Sequence, residues 1–212
     1  MPYQRDPDAG PYDAESDPYI DPNGVLKNIL GIRNTPDLNK AEANLSYLRA
    51  QELETSPLPG NFDLDHLRKI HKHLFGDVYP WAGEIRQIDI GRGNDLFAHH
   101  VHIEKEAGKL FRQLADENHL KGMDAEKFSE RAGHYLGEIN ALHPFREGNG
   151  RSQRAFIGQV AREAGYEIEW SRISREDKTR GSIESFYGDS GNLAKLIRDN
   201  LTSEKEDPSK KP

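Results

Sequence analysis

The stretch His143 to Arg154, HPFREGNGRSQR, holds within twelve residues the groups that a phosphate-transfer site needs. Gly148 and Gly150 bracket Asn149, so the backbone can turn tightly with its N–H groups exposed. A helix is expected to begin near Gly150. Its N-terminus would offer unpaired N–H donors and the positive end of the helix dipole, which suits phosphate. Arg151 and Arg154 fall on neighbouring positions of that helix, and guanidinium groups grip phosphate oxygens bidentately. Glu147 is a carboxylate beside this anion nest. It would repel phosphate unless it holds a divalent cation, and Mg2+ fits. His143 ends the preceding helix and can accept a proton near neutral pH. Each residue type also has a plainer use. A lone GNG is usually a connector, and a histidine at a helix C-terminus often only complements the dipole. It is the joint occurrence that points to a nucleotide-phosphate site in an enzyme. Phe145 fits either use, since an apolar residue here would pin the loop to the core.

Two helices must hold this loop. The preceding one is expected over Ala125 to Leu142, where Phe128, Ala132, Tyr135, Leu136, Ile139 and Leu142 form a broad apolar stripe. His143-Pro144 ends it, because proline blocks continuation. The following helix carries Phe156, Ile157, Val160 and Ala161. Upstream, Thr35-Pro36 reads as an N-cap and first-turn proline, followed by Leu38, Ala41, Leu45 and Leu48 at helical spacing. Asp63 is a candidate cap for a helix with Leu64, Leu67, Ile70, Leu74 and Phe75 on one face. Ile103 to Ala115 repeats that pattern. Further helices are expected near Ser174–Tyr187 and Leu193–Leu201. One region departs from the helical rule: in Ile85 to Phe97, Ile88 and Ile90 alternate with polar residues before a GRGND turn cluster. This predicts a short β-hairpin. A lone hairpin needs something to pack on, which suggests a flap over a cleft.

The chain of 212 residues suits one domain with a proper core. A net charge of −7 gives no basic excess for nucleic acid or an anionic membrane. With no cysteine, disulfides and thiolate metal sites are excluded, and a reducing cytosol suits the chain. Residues 1–24 are rich in proline, glycine and acidic groups and read as an extended or disordered segment without a signal peptide. Residues 202–212 read as a charged, disordered tail, which leaves 25–201 as the domain. His71 with His73, and His99, His100 and His102, tempt a metal reading. No HExxH accompanies them, so solvated or packing roles are expected. Trp81 and Trp170 are expected in the core. Side chains within Ile183–Tyr187 are candidates for an adenine pocket.

The segment at 143–154 resembles the signature of the Fic family, H-x-F-x-[D/E]-[G/A]-N-[G/K]-R-x-x-R, and matches it without departure. FDLDHLRKIHKHLFGDVYPWAGEIR resembles the segment leading into the family's flap, and GRGNDLFA the flap itself. The resemblance implies a mainly α Fic fold, a helical bundle with a small β-hairpin flap over the active site. It implies transfer of AMP from ATP to a protein hydroxyl, with His143 as the base and Glu147 holding Mg2+. Gly148, Asn149 and Gly150 would form the anion nest, and Asn149 would help orient the α-phosphate. Arg151 and Arg154 would take the β- and γ-phosphates. The flap residues Ile90, Gly91, Arg92, Gly93, Asn94, Asp95, Leu96 and Phe97 would dock an extended segment of the target by β-augmentation. Gly148 and Gly150 favour adenylylation; members with alanine and lysine there resemble the Doc kinase branch. A Doc-type phosphotransferase, a transferase of another nucleotide and a non-catalytic binding protein are the alternatives. No segment completes the family's inhibitory pattern [S/T]-x-x-x-E-[G/N]. TSEKED, from Thr202, ends in aspartate and reads as coincidence. The chain therefore resembles the toxin–antitoxin branch, in which a small antitoxin supplies that helix and targets include the type II topoisomerase subunits GyrB and ParE. An effector secreted into a host cell is the second alternative.

Overall fold

Asn34, in extended conformation, opens α1 (Thr35–Thr55) by accepting the Asp37 N–H on its side-chain oxygen at 2.9 Å. The cap thus lies one residue before the expected Thr35, and Thr35-Pro36 occupies the first turn. This computed structural model describes residues 17–92 and 95–203. α1 buries Leu38, Glu42, Ser46 and Leu53, while Leu48 is exposed. The expected stripe is therefore rotated around the helix, because α1 turns polar Glu42 and Ser46 inward toward Arg151.

The other expected helices stand close to their predicted bounds. α2 (Leu64–Phe75) is capped by Asp63, which accepts the His66 N–H at 2.8 Å. α3 spans Ile103–Asp116, α4 Ala125–Leu142, α5 Asn149–Glu163, α6 Arg175–Phe186 and α7 Gly191–Asp199. α4 is the axis of the bundle and packs against α3, α5, α6 and α7. Its predicted stripe is buried throughout. Each such side chain contributes roughly 1.5–3 kcal/mol relative to exposure. Two glycines let α6 and α7 approach it closely. A Cβ on Gly133 would lie 2.6 Å from the Ala194 nitrogen, and one on Gly137 would lie 1.8 Å from Ser185 Oγ.

The hairpin is present, but its ladder is shorter than the alternation suggested. β1 (Gly91–Arg92) pairs antiparallel with β2 (Asp95–Leu96), with Gly91 opposite Leu96. The tip residues Gly93 and Asn94 lie outside the described residues. A second pair was not expected: β3 (Tyr166–Ile168) runs antiparallel to β4 (Leu201–Ser203). So α7 stops before Leu201, and Thr202 and Ser203 belong to the domain rather than to a tail. Three-residue strands are too short for alternation to declare them.

The N-terminal boundary also moves. Asp17 pairs with Arg146 at 2.9 Å, both side chains buried, and Tyr19 packs edge-on against Trp81 at 5.3 Å. Ile20 bridges to Leu26. Residues 17–24 are thus packed onto the domain rather than forming part of an extended or disordered segment. Residues 1–16 and 204–212 lie outside the described residues.

Candidate active site

His143 caps the C-terminus of α4 in the left-handed conformation, φ 44° and ψ 61°. Its Nδ1 lies 3.2 Å from the Asn140 carbonyl. A carbonyl only accepts, so Nδ1 carries the proton in this contact, and in the neutral ring the lone pair is then on Nε2. The ring stacks on flap Phe97, centroids 3.8 Å apart and 15° between planes. Helix end and flap thus orient it together.

The backbone around His143 is fixed by Arg86, a fully buried arginine not singled out in the sequence. Its Nε donates to the His143 carbonyl at 2.8 Å, and one terminal nitrogen donates to the Ile88 carbonyl at 2.6 Å. The other terminal nitrogen donates to the carbonyls of Ala98 and Leu142. One guanidinium thereby ties the end of α4 to both strands at the flap's root. Burial pulls its pKa down to about 10, still well above neutrality.

The loop between α4 and α5 is locked from below. Phe145 is fully buried and stacks on the His71 ring at 3.9 Å, as a pinning role required. His71 donates from Nε2 to the Glu147 carbonyl at 2.9 Å and accepts the Gly83 N–H on Nδ1 at 2.8 Å. Its expected packing role is thus met by a neutral imidazole, and burial lowers its pKa to about 4. Asn149 is buried, and its side chain closes the turn. It accepts the Phe145 N–H at 2.9 Å and donates to the Phe145 carbonyl at 2.7 Å. With its side chain bonded to Phe145, Asn149 has its backbone N–H left to face the cleft. Gly148 has φ +79°, and a Cβ there would lie 2.4 Å from the Phe75 ring.

Above the loop the site is open. Ser152 is the first residue of α5 whose N–H bonds back, to the Gly148 carbonyl at 3.1 Å. The N–H groups of Asn149, Gly150 and Arg151 precede it and have no intrahelical acceptor. The Gly148 N–H donates to Glu147 Oε1 at 2.8 Å. The Glu147 pKa is raised by burial and by the Glu42 carboxylate, against the Gly148 N–H and Arg151. A carboxylate crowded by another beside an anion nest is the natural seat for a cation.

The two arginines differ. Arg151 is paired with Glu42 of α1, donates to Ser46 Oγ at 2.9 Å and lies over the Phe75 ring at 4.6 Å. Glu42 also accepts the Tyr79 hydroxyl. Arg154 has no hydrogen bond or ion pair among the described residues. Burial and Arg151 bring its pKa down to about 10. Both arginines line a cleft of about 810 Å³ with His143, Glu147 and Gly150. The opposite wall is α6, through Lys178, Thr179 and Ser182. These three face the cleft, and Ile183–Tyr187, the candidates for an adenine pocket, begin one residue after them. Phe186 instead packs edge-on against Phe97, and the Tyr187 hydroxyl donates to Asp95 of the flap at 2.5 Å. Trp81 is buried as expected, while Trp170 is half-buried and lines the cleft. Sequence reasoning also missed Glu42, Tyr79 and Lys178. Glu42 and Ser46 share the Leu38 face of α1, and a polar pair on a buried face was the available signal.

The fold and the site together define a helical protein with a glycine-containing loop between two helices at a cleft and a hairpin packed against the cleft's histidine. Residues 61–161 match the model of the Fic/DOC family. The chain is 41% identical over 174 residues to a probable protein adenylyltransferase Fic of Escherichia coli, covering 82% of this chain and 86% of that protein. It is 55% identical over 192 residues to the protein adenylyltransferase VbhT of Bartonella schoenbuchensis, covering 90% of this chain but only 40% of VbhT. The N-terminal Fic domain of a VirB-translocated effector from Bartonella quintana, solved with bound ADP, superposes with TM-score 0.82 at 31% identity. That match covers 88% of this chain and 95% of the effector domain. The BepC effector of Bartonella tribocorum, solved with AMPPNP, gives TM-score 0.80 at 29% identity over 87% of this chain and 96% of that one. The chain belongs to the Fic/DOC family. No helix of the described residues is long and apolar enough to cross a membrane.

Proposed function

We propose that this chain is a protein adenylyltransferase that moves AMP from ATP to a side-chain hydroxyl of a target protein. The observation that carries the reading is the convergence on one cleft of His143, the open N–H groups of α5 and the unpaired Arg154 guanidinium. The names of the relatives support the same activity. The target hydroxyl oxygen attacks the α-phosphorus and gives its proton to Nε2 of His143. The bond from the α-phosphorus to the bridging oxygen breaks, and pyrophosphate leaves. The backbone N–H groups of Asn149, Gly150 and Arg151 hold phosphate oxygens, and Arg154 takes the terminal phosphate. Arg151 reaches the phosphates from its pair with Glu42. Glu147 is the residue that would hold Mg2+, which when bound would supply positive charge to offset that of the phosphates. The flap, Ile90 to Phe97, presents an extended target segment to His143 by strand addition. His143→Ala should keep ATP affinity in calorimetry and lower transfer by ~10²–10⁴-fold or more. Transfer at the wild-type rate by that variant would remove His143 as the base.

The restraint on the enzyme is a separate small antitoxin carrying an [S/T]-x-x-x-E-[G/N] helix, whose glutamate takes Arg154. The absence of any acidic partner for Arg154 among the described residues supports this. The targets in this reading are GyrB and ParE, and the site of action is the bacterial cytoplasm. A second reading, an effector acting in a host cell, draws support from the VirB-translocated proteins among the structural relatives. Incubation with labelled ATP in bacterial and in host lysates separates the two by the size of the labelled band.

A further inference from the structure

We propose that Asp89, His99 and His100 form a transition-metal site, separate from the nucleotide cleft, that fastens the flap hairpin at its root. Asp89 directly precedes the flap, His99 follows it by two residues and His100 opens the 3-10 turn behind it, so the three side chains sit on the two segments flanking the hairpin. The last backbone bond between those segments runs from the Phe97 N–H to the Ile90 carbonyl at 3.1 Å. Beyond it, His99 Nε2 lies 3.2 Å from Asp89 Oδ2 and His100 Nδ1 lies 2.9 Å from Asp89 Oδ1. One donor atom from each of the three lies within 4.8 Å of the others. Bonds of about 2.0–2.1 Å in a tetrahedral Zn2+ site place ligand atoms roughly 3.3 Å apart. The two separations from Asp89 are close to that spacing, the imidazole pair would need at most a small side-chain shift to match it, and water can complete the shell.

The donor set selects the ion. Two imidazoles and one carboxylate suit Zn2+ or Co2+, and disfavour Mg2+ and Ca2+, which take oxygen ligands. Arg86 works against a dication, with a terminal nitrogen 3.7 Å from Asp89 Oδ1. Its guanidinium is, however, held by four backbone carbonyls. The competing state is the metal-free one, in which imidazole N–H groups donate to the same carboxylate. The His100 backbone N–H also donates to Asp89 Oδ1, at 2.8 Å, so Asp89 shapes the turn in both states. An ion here would shorten the free length of the flap and lower its mobility without touching the nucleotide.

The test is calorimetric titration of the whole chain with Zn2+ in excess Mg2+, which occupies any oxygen-only site. One Zn2+ per chain is expected to bind, and to be lost in His99→Ala and in His100→Ala. The His99 side chain is 55% exposed, so its replacement leaves the fold intact, to be confirmed by circular dichroism. Amide exchange over residues 88–98 should slow with Zn2+ in the wild type and not in the variants. No Zn2+ uptake, or uptake unchanged in both variants, would overturn the proposal and leave the cluster as hydrogen-bonded imidazoles.

Discussion

His143 adopts a left-handed backbone that costs an L-residue about 1–2 kcal/mol, and it does so at the one position where its ring can face both the cleft and Phe97. The residue scale is where the sequence was most legible. Gly148 illustrates why: its positive φ and its contact with Phe75 both forbid a side chain. We expect Gly148→Ala to lower stability by about 2 kcal/mol or more in urea denaturation and to weaken nucleotide binding in calorimetry. Unchanged stability would contradict the close packing of the nest on α2. That His143, Glu147 and Arg154 share one cleft was readable because they lie within twelve residues on either side of one turn. Glu42, Tyr79 and Lys178 were not, because each reaches the cleft from a distant element, and only the fold brings them there. That the Asn149 side chain also closes the loop, through its bonds to Phe145, has no signal in the sequence.

At the scale of elements, Arg86 couples the end of α4 to the flap. Its replacement strips up to four carbonyls of their donor, at about 1–3 kcal/mol for each one left unsatisfied. Arg86→Met should therefore lower the urea midpoint markedly. Arg86→Lys, which keeps the charge but fewer donors, should retain the fold and lose turnover more than ATP affinity. Steady-state kinetics beside calorimetry checks this; equal losses in both would assign Arg86 to the fold alone. Helices with long apolar stripes, α3, α4 and α5, were legible because burial imposes a period of 3.6 residues. α1 was misread in its face because its inner side supports the site with polar groups. β3 and β4 went unseen because each has only three residues.

For the whole molecule, stability should depend on pH through its buried histidines. His71 has a folded pKa of about 4 against an ordinary value near 6.5, and burial lowers His66 in the same direction. Between these values the unfolded chain binds a proton that the folded chain does not, so stability rises with pH. The contribution is complete above about 6.5, is lost as pH falls toward 4, and amounts to roughly 3 kcal/mol at most for His71. Urea midpoints measured from pH 4 to 7 should show this slope, and His71→Gln should flatten it. The N-terminal residues belong to the same whole: Asp17 braces the loop through Arg146, and Tyr19 braces the approach to the flap by accepting the Gln87 N–H. Low apolar content concealed this in the sequence, since two anchoring side chains leave no periodic trace.

The central claim is adenylyl transfer with His143 as base, and labelled ATP tests it most directly. Lysate is incubated with the wild-type chain or with His143→Ala, using label on the α-phosphate in one series and on the γ-phosphate in another. The account predicts a protein band labelled from the α-phosphate alone, absent with the variant. A band labelled only from the γ-phosphate, or an α-label that persists undiminished with His143→Ala, would contradict it.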